Sequence, residues 1–382
     1  MTKRLFISLD FPPENGGIQN YVYGLVSNLN SLDTFVLTSN RIGEEKFRDF
    51  DAKQTFKTYR IGMTNKVSFI KQILQAVVLF FYVVSLIRKH KIEEIHFGNV
   101  MPIGIIGPII KRLLRIRYYP YIHGFDFLES KNNALKYKLV QFCLRHANKI
   151  ICNSNYTKNK LMESDLEERN ITVIHPGIHK KKAATINAQS LISKFMLEDR
   201  KVIITVGRLV KRKGHDLVIK SLREIIKITP NVKYVICGDG PEEENLKLLV
   251  KDLDLEDYVV FTGSISREDL ETIYSIADLF IMLNRELTET GDVEGYGIVF
   301  LEAGMYKLPV IGGNNGGVPD AVLHGKTGYL IDPSSQEEIV QTVSSFFMDQ
   351  DLAKQFGNNG YRWVTENCLW NHRVTLVESL EG

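Results

Sequence analysis

Apolar positions along this chain keep two different periods. Short runs of Val, Ile, Leu and aromatic residues alternate with longer stretches whose apolar positions lie three and four apart. Near-continuous apolar runs suit strands buried on both faces, and the helical period between them suits helices that cover those faces. In the first half the strand candidates are Leu5–Leu9, Thr34–Thr38, Phe56–Ile61, Ile95–Phe97, Tyr118–Ile122, Lys149–Cys152 and Thr172–Ile174. In the second half they are Val202–Val206, Lys233–Cys237, Val259–Thr262, Leu279–Leu283, Pro309–Ile311 and Gly328–Ile331. This alternation predicts an α/β protein with two Rossmann-like, doubly wound parallel sheets.

A length of 382 residues fits two cores better than one. Strand character stops between His175 and Arg200, where Lys180, Lys181 and Lys182 follow one another, and a linker is placed there. The expected domains are residues 1–178 and 179–365, with a helical segment, 366–382, that crosses back to the first domain. Helical spacing in that region runs from Tyr361 to Leu380. One apolar stretch, Phe69–Ile87, is interrupted by Lys71, Gln72 and Gln75, so it reads as a buried or half-buried helix rather than a membrane span.

Charge narrows the function classes. With 48 basic and 45 acidic residues, the balance is too even to argue for nucleic acid as a partner. The four cysteines, Cys143, Cys152, Cys237 and Cys368, lie far apart and form no C-x-x-C pair. With no signal-peptide-like apolar region after Met1, these features lead us to expect a cytoplasmic protein.

Ligands of doubly wound sheets sit beyond the carboxyl ends of the strands, so motifs directly after strands carry the chemistry. Gly207 to Gly214 follows Val202–Val206 and offers Arg208 and Lys213 to a phosphate pair. Asp292 to Ala303 follows Leu279–Leu283. Its Gly295, Tyr296, Gly297 and Ile298 bring backbone N–H groups to a helix start, and Glu294 and Glu302 suit sugar and ribose hydroxyls. Gly16 and Gly17, after Asn15, make a glycine turn behind the first strand. His123 closes the strand Tyr118–Ile122 and can donate to a substrate oxygen or move a proton, with Asp126 orienting it or touching acceptor. Gly325-Lys326-Thr327 is no phosphate-binding loop, because Asp320 stands where the upstream glycine belongs. Gly238-Asp239-Gly240 lacks the third glycine of a dinucleotide fingerprint. No His/Cys cluster of ligand spacing occurs, so no metal and no obligatory cofactor is expected.

Taken in order, these motifs resemble the family-4 retaining glycosyltransferases of the GT-B fold, whose two domains face an interdomain cleft. The most specific elements are Glu294 to Glu302 and the pair Arg208 and Lys213 in G-R-L and R-K-G; Asp292 to Glu302 looks especially like phosphatidylinositol mannosyltransferases. The resemblance implies that Arg208 and Lys213 hold the donor diphosphate, Glu294 the transferred sugar and Glu302 the ribose. It also implies that His123 contacts the sugar, Gly16 and Gly17 lie by donor phosphate and acceptor, and Ile265 lies by the base. The donor is then GDP-mannose or a UDP-hexose, and the acceptor a glycan or lipid-linked hydroxyl. A basic and apolar patch, Ile103–Ile110 with Lys111, Arg112, Arg115 and Arg117, suggests peripheral contact with the inner face of the cell membrane. A non-hydrolysing sugar-nucleotide epimerase and a non-catalytic scaffold are the rival readings.

Overall fold

The structure is a computed structural model that describes residues 2–14, 16–40, 44–62, 69–180, 188–287 and 289–381. The chain forms two compact units, Met1–His179 with Trp370–Gly382, and Lys180–Leu369.

In the first unit seven strands form one parallel sheet: β1 (Arg4–Ser8), β2 (Thr34–Ser39), β3 (Lys57–Ile61), β4 (Glu94–Phe97), β5 (Arg117–Ile122), β6 (Ile150–Cys152) and β7 (Ile171–Val173). Their order across the sheet is β3-β2-β1-β4-β5-β6-β7. In the second unit β8 (Lys201–Val206), β9 (Val232–Cys237), β10 (Val259–Gly263), β11 (Leu279–Met282), β12 (Val310–Gly313) and β13 (Gly328–Ile331) run in the order β10-β9-β8-β11-β12-β13. Every run read from the sequence carries a strand, with bounds that differ by two residues at most. The apolar signal was strong because both faces of the central strands are covered, as Ile203 and Ile204, adjacent on β8 and both fully buried, show.

Strand order fixes where ligands can reach. It reverses between β1 and β4 in one sheet and between β8 and β11 in the other. At such a switch point the two flanking loops leave in opposite directions and open a crevice at the carboxyl ends. The Gly16-Gly17 turn follows β1, and the two charged motifs follow β8 and β11.

Three sequence expectations need correction. The stretch read as linker contains a helix, Ala188–Phe195, whose Leu191 and Phe195 are buried one turn apart; Lys181 and Lys182 lie outside the described residues. Tyr361–Leu380 is two helices, Gln350–Asn367 and Trp370–Glu378, because the chain breaks its turn at the buried Cys368 and passes to the first unit at Trp370. Trp370 there packs with Tyr21, Leu25 and Val26. Finally, the patch beginning at Ile103 is mostly core, since Ile103, Ile106 and Ile110 are buried. Of its cations, Arg117 pairs with Glu94, and Lys111 donates to the His146 carbonyl. The stretch Phe69–Ile87 lies in one helix, Phe69–His90, with Ala76, Leu79, Val83, Leu86 and Ile87 in the core. Among the described residues no helix is long and apolar enough to cross a membrane.

Candidate active site

The second unit concentrates charge on the two loops beside its switch point. Behind β8, Gly207 opens the loop at φ 152 and Gly214 closes it at φ 70, entering the helix His215–Ile228. A Cβ on Gly214 would lie 2.1 Å from the Leu283 carbonyl oxygen, so only glycine lets this loop pack against the one that follows β11. The Arg285 N–H then donates to the Arg212 carbonyl at 2.9 Å.

Side chains tie the loops more tightly. Glu294 Oε2 accepts from Lys213 Nζ at 2.5 Å, from an Arg212 guanidinium nitrogen at 2.5 Å and from Asn284 Nδ2 at 3.1 Å. Arg212 Nε also pairs with Asp292 at 3.1 Å. Burial alone would raise the Glu294 pKa, but Lys213 and then Arg212 outweigh it and hold the carboxyl at about 2. Glu294 is therefore charged at neutral pH. All three donors use Oε2, and Oε1 has no partner among the described residues, which leaves it to accept a ligand hydroxyl. Lys213 has three N–H donors, of which Glu294 takes one. Arg208 is exposed, and among the described residues its guanidinium has no partner. Two cations thus keep donors for an anion beside a carboxylate that keeps an acceptor.

Further round the same crevice, Gly297 at φ 91 leads into the helix Ile298–Met305, whose first turn no side chain caps. Its free N–H groups favour an anion or an oxygen lone pair. Gly295 and Tyr296 precede it, with Tyr296 buried, so that ring belongs to the fold and the backbone beside it to the site. Glu302, on that helix, accepts from the Tyr274 hydroxyl at 3.2 Å; burial raises its pKa against that bond. Ile265 lies half-buried in the loop between β10 and the helix Arg267–Ile276.

At the switch point of the first unit, Gly16 precedes the helix Gly17–Val26, which again has no side-chain cap; Asn15 lies outside the described residues. Ser8 Oγ is 2.8 Å from the Asp10 carbonyl and 3.1 Å from Asn99 Oδ1, while Asn99 Nδ2 donates to the Asp10 carboxylate at 3.1 Å. His123 stands at the end of β5, with Nε2 2.9 Å from the Gly98 carbonyl. A carbonyl only accepts, so Nε2 carries the proton, and Nδ1 of the neutral ring is an acceptor. Asp126 does not orient the ring: it accepts the backbone N–H of His123 at 3.0 Å, and burial raises its pKa.

Reading the sequence missed Arg212, Asn284, Asn99 and Tyr274. Arg212 lay inside the R-K-G triplet, yet its partners are about eighty residues away, beyond the reach of any spacing argument. Among the described residues, no group of three or more His, Cys, Asp or Glu side chains is arranged to hold a metal ion.

Comparison with known proteins bears on this geometry. Residues 15–182 match the model described as Glycosyltransferase Family 4, and residues 189–363 match Glycosyl transferases group 1. Two parallel Rossmann-like sheets with these loops define the GT-B glycosyltransferases, and the chain belongs to their family 4 as a hexosyltransferase. It is 30% identical over 382 residues to the GDP-mannose-dependent alpha-(1-6)-phosphatidylinositol monomannoside mannosyltransferase of Mycolicibacterium smegmatis, covering 99% of this chain and 98% of that one. The Mycobacterium tuberculosis protein of the same name is 29% identical over 100% of this chain and 99% of its own. Among solved structures, Anabaena HepE in complex with UDP superposes with a TM-score of 0.81 at 18% identity, with full coverage of both chains.

Proposed function

We propose that the protein is a retaining mannosyltransferase that moves mannose from GDP-mannose to an acceptor hydroxyl of a lipid-linked or glycan substrate, at the inner face of the cell membrane. The observation that carries this reading is the pairing, at one switch point, of two cations with free donors and a charged carboxylate with a free acceptor. The names of the mycobacterial relatives support mannose and a glycolipid acceptor. A UDP-hexose donor is the second reading, and the UDP bound in HepE favours it.

In this reaction the bond from the anomeric carbon to the diphosphate breaks, and negative charge builds on the departing oxygen. Arg208 and the two remaining N–H groups of Lys213 stabilise that charge, the role a metal fills elsewhere. Glu294 Oε1 accepts a sugar hydroxyl, and His123 Nδ1 accepts another. Glu302 grips the ribose, Ile265 lies against the base, and the open helix starts behind Gly16-Gly17 and Gly297 add N–H groups to the phosphates. The acceptor oxygen attacks from the face the diphosphate leaves, its proton passes to the departing phosphate oxygen, and the configuration is kept. No cofactor is needed.

For the membrane, support comes from two helices of the first unit. Leu74, Val77, Val78 and Phe81 are exposed at helical spacing, as are Ile109 and Leu113 beside the exposed Arg112 and Arg115, and both helices bury their other faces in one core. Apolar side chains flanked by cations suit an anionic bilayer.

A donor panel scored by thermal shift, followed by product analysis with and without acceptor, tests the reading. GDP and GDP-mannose should raise the melting temperature more than their UDP counterparts. Hexose turnover that proceeds with no acceptor would mark an epimerase and defeat the proposal.

A further inference from the structure

Arg212 has no role in the donor contacts described above, yet it is the hub of the two loops. Its carbonyl receives the Arg285 N–H at 2.9 Å, its Nε holds Asp292 at 3.1 Å, and a terminal nitrogen holds Glu294 at 2.5 Å. Arg285 is itself fixed by paired bonds to Asp216 at 2.9 and 3.1 Å. The backbone of Glu294 is pinned from the other side, since its carbonyl accepts the Gly317 N–H at 2.8 Å.

A planar guanidinium bonded along two directions fixes a carboxylate in position and rotation, which the single ammonium of Lys213 cannot do. We propose that Arg212 is a positioning residue: anchored on Asp292, it holds Oε2 of Glu294 so that Oε1 stays turned to the sugar while Lys213 serves the diphosphate. The inference rests on the glycosyl-transfer reading of this site. It separates two tasks on adjacent residues, with Lys213 binding the anion and Arg212 aiming the carboxylate.

The groups that face Glu294 are Arg212 and Lys213 from the loop behind β8, Asn284 from the loop behind β11, and Asp292 through Arg212. Removing the guanidinium takes away one of the two cations that hold Glu294 ionised, so its titration moves to higher pH.

The test is Arg212→Gln and Arg212→Lys in the full chain, with calorimetric binding of GDP and UDP and steady-state transfer between about pH 4 and pH 8. For Arg212→Gln we expect nucleoside diphosphate affinity within about threefold of wild type, kcat down by about tenfold to a hundredfold, and the acid limb of kcat/KM at higher pH. Arg212→Lys keeps the charge but reaches only one carboxylate. It should restore the acid limb and leave kcat several-fold low, and it serves as the probe if the glutamine variant does not fold. Wild-type kcat and pH profile in Arg212→Gln would overturn the proposal, as would a loss of nucleoside diphosphate affinity as large as the loss of kcat. A wild-type chain that neither binds a nucleoside diphosphate nor transfers hexose would instead sink the underlying functional reading.

Discussion

Glu294 and Glu302 stand eight residues apart and are perturbed in opposite directions. Glu294 is depressed from its ordinary value near 4.5 to about 2, so it contributes stability that is present above about pH 4.5 and lost as pH falls toward 2. Glu302 is raised, so its contribution has the other sign: it is present below about 4.5 and lost as pH rises through the raised folded value. Two outcomes follow. Glu294→Gln leaves Lys213, only 8% exposed, with no carboxylate partner, and denaturation at pH 7 should show a loss of about 3 kcal/mol. Glu302→Gln removes a buried charge, so its melting temperature at pH 8 should equal or exceed that of wild type while the affinity for a ribonucleoside diphosphate falls about tenfold. A Glu302→Gln variant that melts lower at pH 8 than at pH 5 by the wild-type margin would contradict the raised pKa.

Helix starts divide into two kinds. Asn133, Ser154, Ser266, Ser335 and Asp349 cap their helices with side-chain oxygens that accept first-turn N–H groups. Gly16, Gly214 and Gly297 precede helices without such a cap, and these three border the switch points. A side-chain cap consumes the donors that an anion would use; the helix starts behind Ile106, Gly124, Glu242 and Gly317 also lack one, so it is the missing cap together with a place at a switch point that sets the three glycine starts apart. Ser335→Ala should therefore cost about 1 kcal/mol in denaturation and leave transfer unchanged, since it lies on an element the site does not use. This is also the level at which the sequence was most legible. Apolar runs such as Val202–Val206 marked every strand, and glycine after a strand marked each site loop. The helix Ala188–Phe195 escaped notice because only Leu191 and Phe195 face a core and a lysine run precedes it. Within Ile103–Ile110 the spacing could not say which members face the sheet, because Ile103, Ile106 and Ile110, which are buried, and Ile109, which is exposed, satisfy the same helical period. Arg212 was illegible for a different reason: a basic triplet does not say which of its members turns inward to carboxylates supplied by another loop.

At the scale of the molecule, the chain makes the second unit as an insertion between His179 and Trp370 and then completes the first. Trp370, Val374 and Val377 share a core with Tyr21 and Leu25, and Tyr21 in turn meets the His123 ring edge-on at 5.3 Å. The returning helix thus supports the residue proposed to touch the sugar. Trp370→Ala should cost about 3–5 kcal/mol and be read in calorimetry as a lowered transition of the first unit. Gly24, whose added Cβ would stand 2.0 Å from the Trp370 ring, should tolerate alanine poorly for the same reason. The decisive measurement uses the whole chain. It is the turnover of Arg208→Ala at saturating sugar nucleotide and acceptor. Because Arg208 is exposed and its guanidinium unpartnered among the described residues, the variant should melt with wild type, yet kcat should fall by about a hundredfold or more. A rate near that of wild type would contradict the claim that this guanidinium stabilises the departing diphosphate.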